Sequence, residues 1–271
     1  MALLVYIGFA ILLTVLQDQF IYFPSRASEK RLLHEASSTG LEPWRDADGA
    51  IIGWKGAQRG APAANRMIVF HGNAGYAVHR SYFVKGFESI DAGKTWEVHL
   101  FEYPGYGARA GKPGEAVFKD AANAALRNLL GAGRQPVFLL GESIGTGVAC
   151  HVASEFPNEV AGLVLVTPFT SLPDVAAHHY PFLPVRMLLS ERYDNVAALK
   201  KYHRPIAFLL AGRDEVIPAK FGRSLYDSYA GAKRLWTQED ATHNDLDYDP
   251  RAAWWRDVSD FLLTRGAAAP D

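Results

Sequence analysis

The chain has a single cysteine in 271 residues, no excess of either charge, and no lysine or arginine before Arg26. Each shortage excludes something. Cys150 alone rules out an internal disulfide and any multi-cysteine metal site, and it reads as a small core residue. With 28 basic residues against 29 acidic ones, net −1, there is no basic field for nucleic acid. No internal repeat and no low-complexity tract is present. The missing N-terminal positive charge, with no small-residue cleavage step, argues against a cleaved signal peptide. What remains is a chain 49% hydrophobic, of a size suited to one large α/β domain.

Residues 2–16 are nearly all apolar and run through Gln17-Asp18-Gln19 into Phe20-Ile21-Tyr22-Phe23-Pro24. As a helix the apolar run reaches about 22 Å, short of a bilayer core of about 30 Å. Continuing through Tyr22 and Phe23 makes up the difference, with these aromatics at an interface and Pro24 ending the helix. Residues 1–24 are therefore expected to be a single hydrophobic anchor that associates the protein with a membrane, and 25–271 one folded domain. Asp18 fits such a span poorly, which leaves a helix lying in the interface, or a fitted cover over the domain, as alternatives. Arg26, Lys30 and Arg31 are too few to decide the side of the membrane.

Residues 29–49 are polar and mixed, and read as a linker or surface segment. Beyond them strands are predicted at 50–54, 66–70, 96–101, 137–140, 160–166, 205–210 and 233–237. Helices are predicted at 78–90, 115–130, 146–156 and 220–229, with a last one carrying Trp254, Trp255, Val258, Phe261 and Leu262 on one face. This alternation means an α/β fold: a mostly parallel sheet flanked by helices, with functional loops at the strands' C-terminal ends. Between 168 and 204 the rhythm breaks at Pro173, Pro181 and Pro184, leaving one helical patch at 185–189. This stretch is read as a cap inserted over the sheet's active end. The tail 266–271 is expected to fray.

Directly behind the apolar run 136–140 stands Gly141-Glu142-Ser143-Ile144-Gly145. Five such residues can equally be an ordinary turn. Their setting, after a strand and before a helix, is that of a strained elbow that exposes a serine hydroxyl above the sheet. Glycines two residues to either side fit because a side chain there would collide with the packed strand and helix. A hydroxyl is a poor nucleophile at neutral pH, so Ser143 needs a base within reach and a carboxylate to fix that base's tautomer. Asp214 and His243 each follow a predicted strand, and they come in the chain order Ser, Asp, His. Asp194 in the insertion, Glu215 further round its turn and Asp240 beside His243 are poorer acids. His178-His179 lacks a third ligand at a recognised metal spacing. A tetrahedral intermediate needs two donors for its oxyanion. The backbone N–H of Ile144 and that of Asn73, in the loop after an early strand, are the candidates.

Taken together, several motifs resemble one known family: His71-Gly72-Asn73-Ala74-Gly75, Tyr103-Pro104-Gly105-Tyr106-Gly107, Gly141 to Gly147, Asp214 within Ala211 to Pro218, and Thr242-His243-Asn244-Asp245-Leu246. The family is the α/β-hydrolase-fold serine hydrolases, in their Bem-type membrane-anchored subgroup, related to the α/β-hydrolase-domain-containing proteins. The resemblance spans roughly residues 17–264. It implies the same triad, the same oxyanion pair, and action on esters or thioesters, some with lipid-like acyl chains. Glu102 stands where the subgroup often has Asp, and Arg109 where Ser often follows; both are expected to shape the pocket wall. The sequence thus points to a serine esterase or lipase-like hydrolase without metal or cofactor, acting on a small-molecule or lipid-like acyl ester. Thioesterase, peptidase or acyltransferase chemistry, and a non-catalytic binding module on the same fold, stay open. Tyr180, Phe182, Leu183, Met187 and Leu188 could wall an acyl pocket, or could simply pack the insertion onto the sheet.

Overall fold

A computed structural model describes residues 1–57 and 62–266. The chain enters through helix α1 (Ala2–Ile21), the two-residue strand β1 (Phe23–Pro24), helix α2 (Glu29–Ser38), and strands β2 (Leu41–Arg45) and β3 (Ile51–Gly56). Then come β4 (Asn65–Phe70), β5 (Ala74–Gly75), a 3-10 turn at Ala77–Arg80, α3 (Ser81–Glu88), β6 (Trp96–Phe101), α4 (Glu115–Ala132) and β7 (Val137–Glu142). The second half holds α5 (Gly145–Glu155), β8 (Val160–Val166), and three short helices, α6 (Leu172–His179), α7 (Val185–Leu188) and α8 (Asn195–Leu199). It closes with β9 (Ile206–Ala211), α9 (Ala219–Ser228), β10 (Lys233–Gln238) and α10 (Trp254–Gly266). The expected frayed tail lies, from 267 onward, outside the described residues.

Among the described residues eight strands form one sheet, in the order β10-β9-β8-β7-β4-β6-β3-β2. All neighbours are parallel except the β6–β3 and β3–β2 pairs. The central strands are apolar on both faces because both faces are covered. Alternate residues of β4 show it: Ile68 and Phe70 pack with α4 and α5, while Met67 and Val69 pack with α3 and α10.

Three sequence expectations change. The supposed linker at 29–49 is α2 and β2: Ser28 caps the helix by accepting from the Arg31 N–H, and Leu32 and Ala36 are buried. Only these two residues of the helix are fully buried, with Leu33 packed partly buried beside them, too sparse a stripe to signal it. The cap holds three helices rather than one. Pro173, read as a breaker, sits in the first turn of α6, where a missing N–H costs nothing, behind a Ser171 cap. Asp194 caps α8 through the Ala197 N–H.

The third change concerns the N-terminus. Helix α1 ends at Ile21 rather than running through Phe23, and Tyr22 is 4% exposed. The Tyr22 hydroxyl bonds to Tyr193 at 2.8 Å and to Glu191, and its ring packs edge-on against Phe118. Tyr22 is thus a core residue and not a membrane-interface aromatic. Most apolar side chains between 2 and 13 lie outside the described residues. Among those described, no helix is long and apolar enough to cross a membrane.

Helices α3 and α10 interlock at Gly86, where a Cβ would come within 2.3 Å of the Trp255 ring. Helix propensity favours Ala over Gly by about 1 kcal/mol, whereas overpacking costs about 1–3 kcal/mol. Trp255 is 1% exposed and wedged against Phe83 and Phe87, so it has nowhere to move. Gly86→Ala is therefore expected to lower the unfolding free energy, by about 1 kcal/mol or more, in urea denaturation.

Candidate active site

The elbow forms where β7, β4 and α5 converge. A Cβ on Gly145 would lie 2.1 Å from the Phe70 carbonyl oxygen, and one on Gly141 would lie 2.5 Å from the Thr146 Cα. Only glycine permits that approach. Between them Ser143 adopts φ = 55°, a left-handed conformation that costs a non-glycine residue on the order of 1–3 kcal/mol. Hydrogen bonds hold it there: Ser143 N–H donates to Val166 O at 2.9 Å, and the Thr146 N–H and hydroxyl donate to Ser143 O at 2.9 and 2.7 Å.

The loops after β9 and β10 bring Asp214 and His243 to the same sheet end. Asp214 Oδ1 accepts from the N–H groups of Val216, at 2.9 Å, and Ile217, at 2.6 Å. That leaves Oδ2 facing His243 Nδ1 at 2.7 Å, while His243 Nε2 lies 3.0 Å from Ser143 Oγ. A proton on Nδ1, held by the carboxylate, leaves the Nε2 lone pair free to take the serine proton. The carboxylate side chain is 1% exposed and the imidazole 12%, so water competes weakly for either contact.

Facing the elbow is the loop from His71 to Gly75. Gly72 lies against Ser143, its Cβ position 3.5 Å from the serine Cβ. The Gly72 N–H is taken by Glu142 Oε2 at 3.1 Å. Among the described residues neither the Asn73 N–H nor the Ile144 N–H donates to a protein acceptor. Glu142 also accepts from Arg80 Nε and Tyr82 OH, both at 2.9 Å, and Arg80 Nη1 donates to Ala74 O at 3.0 Å. Burial pushes the Glu142 carboxyl upward, but the Arg80 guanidinium and the Gly72 and Tyr82 donors outweigh it and hold it below the usual carboxylate range. Sequence reasoning passed over Arg80, Tyr82 and Glu142 in this role. The only available signal was a carboxylate ending an otherwise apolar strand.

The other candidates are placed differently. Tyr180, Phe182 and Met187 are 58, 90 and 84% exposed, forming an apolar ridge rather than an enclosed wall; Leu183 and Leu188 are half-buried. The prolines flanking 182–183 keep this stretch out of regular structure that could fold it inward. Glu102 and Arg109 lie away from the triad. They lie behind the loop, where Glu102 accepts from Ala77 N–H, and both line a separate cleft of about 370 Å³ beside α2 and β3. His179 donates to Val216 O at 2.9 Å, in the loop carrying Asp214, and His178 accepts from Lys220 of α9 at 3.0 Å, so the pair contacts that loop and the helix after it.

Comparison with known proteins places this arrangement in context. Residues 65–266 match the α/β hydrolase fold family. An uncharacterized protein of Mycobacterium tuberculosis is 32% identical over 238 residues, covering 84% of this chain and 81% of its own. Protein bem46 of Schizosaccharomyces pombe is 26% identical over 75% of this chain and 69% of its own. An uncharacterized membrane protein of Saccharomyces cerevisiae is 27% identical over 62% and 61%. Among solved structures, the Pyrococcus furiosus esterase Pf2001 superposes with a TM-score of 0.65 at 16% identity, covering 91% of this chain and 98% of that one.

The Arg80–Glu142 pair yields a test of the loop's support. Removing one partner of a shielded ion pair leaves the other charge uncompensated, at a cost of about 3 kcal/mol. In Arg80→Ala the Glu142 carboxyl loses its largest stabiliser, so its folded pKa rises above the unfolded value. The penalty is then full above that raised pKa and is relieved as the pH falls and the carboxyl takes up a proton. Urea denaturation of Arg80→Ala is expected to show a larger deficit against wild type at pH 7 than at pH 4.5.

Proposed function

The chain belongs to the α/β hydrolase fold family, and from that membership we propose that it is a serine hydrolase cleaving carboxylic esters. The observation carrying this reading is the unbroken contact chain Asp214–His243–Ser143, at 2.7 and 3.0 Å, on three separate strand ends. In the proposed mechanism Ser143 Oγ attacks the acyl carbonyl as His243 Nε2 removes its proton. Asp214 orients the imidazole and stabilises its charged form. The carbonyl oxygen, becoming an oxyanion, is met by the free N–H groups of Asn73 and Ile144. His243 then protonates the leaving alcohol, and water, activated by the same imidazole, releases the acyl group from Ser143.

A lipid-like acyl ester presented at a membrane is the substrate class this surface favours. Helix α1 lies along the cap: Tyr6 OH donates to Phe182 O at 2.9 Å, and Gln17 Oε1 accepts from Ser190 N–H at 2.8 Å. Leu12, Val15, Phe20 and Phe23 of the N-terminal segment are exposed, as are Phe182 and Met187 of the cap. Exposed apolar side chains on two touching elements favour contact with a lipid surface, with α1 as the anchor.

Ser143→Ala is expected to lower turnover of a short p-nitrophenyl ester by on the order of a million-fold and to abolish labelling by a fluorophosphonate probe. Near-normal turnover in that variant would sink the assignment. Across a series of esters from acetate to palmitate, kcat/KM is expected to rise with chain length. A maximum at acetate would remove the lipid-like reading and leave the esterase.

A further inference from the structure

The free N–H of Asn73 belongs to a loop residue, and an N–H can stabilise developing charge only if its direction is fixed before the reaction. The neighbouring residues are held from within: the Gly72 N–H donates to Glu142, Gly72 O accepts from His71 Nδ1 at 2.7 Å, and Ala74 O accepts from Arg80. From without, Asn73 itself is held by the N-terminal segment. Its side-chain Nδ2 donates to Ile21 O, the last carbonyl of α1, at 2.9 Å. Its own carbonyl accepts from Phe23 N–H at 2.9 Å and from Tyr106 OH at 2.7 Å. Two residues on, Gly75 O accepts from Ser25 N–H at 3.1 Å, completing the parallel β1–β5 pairing of Phe23 with Ala74 and Pro24 with Gly75.

The segment is not a loose strand laid over the domain. Tyr22, between the two backbone contacts, is buried and bonds to Tyr193 and Glu191. On its far side Ala27 N–H donates to Gly107 O at 3.1 Å, and Gly107 N–H donates to Ser25 O at 2.9 Å. A terminal carbonyl of a helix needs a partner outside the helix. Here the partner is the side-chain amide of Asn73, the residue whose backbone N–H is read above as an oxyanion donor.

We propose that the Asn73 side chain is a positioning group for the oxyanion-binding N–H, and that residues 21–25 are part of the catalytic scaffold through their bonds to it. This rests on the serine-hydrolase reading above. Asn73→Ala keeps the backbone N–H and removes only the side-chain bond to Ile21. A small misdirection of a catalytic group costs up to about a hundredfold in rate, and outright loss of an oxyanion donor about a hundred- to a thousandfold. The expected loss in kcat for Asn73→Ala is therefore about ten- to a hundredfold, with KM within about twofold.

The test uses the full-length protein. kcat and KM for p-nitrophenyl butyrate are measured on wild type, Asn73→Ala and Tyr106→Phe, together with Ki for butylboronic acid, whose tetrahedral serine adduct places an oxygen at the oxyanion position. Positioning predicts that boronate Ki rises by about the same factor as kcat falls, while thermal unfolding stays near wild type. Tyr106→Phe, which removes one hydroxyl from the Asn73 carbonyl and keeps the ring, is expected to follow the same line with a smaller loss. It decides the matter if Asn73→Ala does not fold. A folded Asn73→Ala with wild-type kcat and boronate Ki overturns the proposal. So does a loss in which KM and thermal stability worsen while the ratio of boronate Ki to KM is unchanged. A wild-type protein that neither turns over the ester nor is labelled at Ser143 overturns the hydrolase reading instead, and the proposal with it.

Discussion

Everything at this site depends on how closely β4 and α5 approach behind the elbow. With Gly145 bare, α5 can start against the Phe70 carbonyl, and only then does the turn after β7 push Ser143 into a left-handed conformation with its hydroxyl above the sheet. The strain, of order 1–3 kcal/mol, is offset by three hydrogen bonds to the Ser143 backbone, each contributing about 1 kcal/mol. The same approach puts Gly72 against Ser143, so one packing constraint positions both Ser143 and the loop that faces it.

Around that point the molecule fixes polar groups by exhausting their alternatives. Asp214 cannot turn away from His243, because its other oxygen already accepts two backbone N–H groups. The Gly72 N–H cannot serve an oxyanion, because Glu142 has taken it. Glu142 in turn stays charged in a poorly hydrated setting because Arg80 and Tyr82 face it. A site built in this way is preorganised before any substrate arrives, the condition under which hydrogen-bond donors stabilise developing charge without reorganising.

The features legible in the sequence were those set by local pattern. Buried parallel strands such as Val160–Val166 read as unbroken apolar runs, and the elbow and Asp214 each stand just beyond such a run, while His243 follows the partly exposed, mixed strand Lys233–Gln238. Features set by contacts across the fold left no such trace. Arg80 and Glu142 lie 62 residues apart and Tyr22 and Tyr193 171 apart, and no spacing rule joins them. Helix α2 buries only Leu32 and Ala36 of its ten residues, so composition hid it. Tyr22 misled for a different reason: an aromatic after an apolar helix suits a membrane interface and a domain core equally well, and only Glu191 and Tyr193 show which applies.

Tyr22 also explains why the N-terminal segment and the cap belong to one structural unit. Glu191, which it meets, accepts the Glu115 N–H at the start of α4, while Glu115 accepts the Tyr193 N–H at 2.8 Å; cap, α4 and segment therefore share one network. Burial raises the Glu191 carboxyl above its ordinary range, so its bond to Tyr22 sits in a setting where water is scarce. From this network the chain passes directly, through Phe23, to the carbonyl of Asn73. The cap and the loop that faces Ser143 are thus tied together by residues 21–25. Ile21 and Phe23 thus bind Asn73 from both sides of the same tyrosine, one through its side-chain amide and the other through its carbonyl.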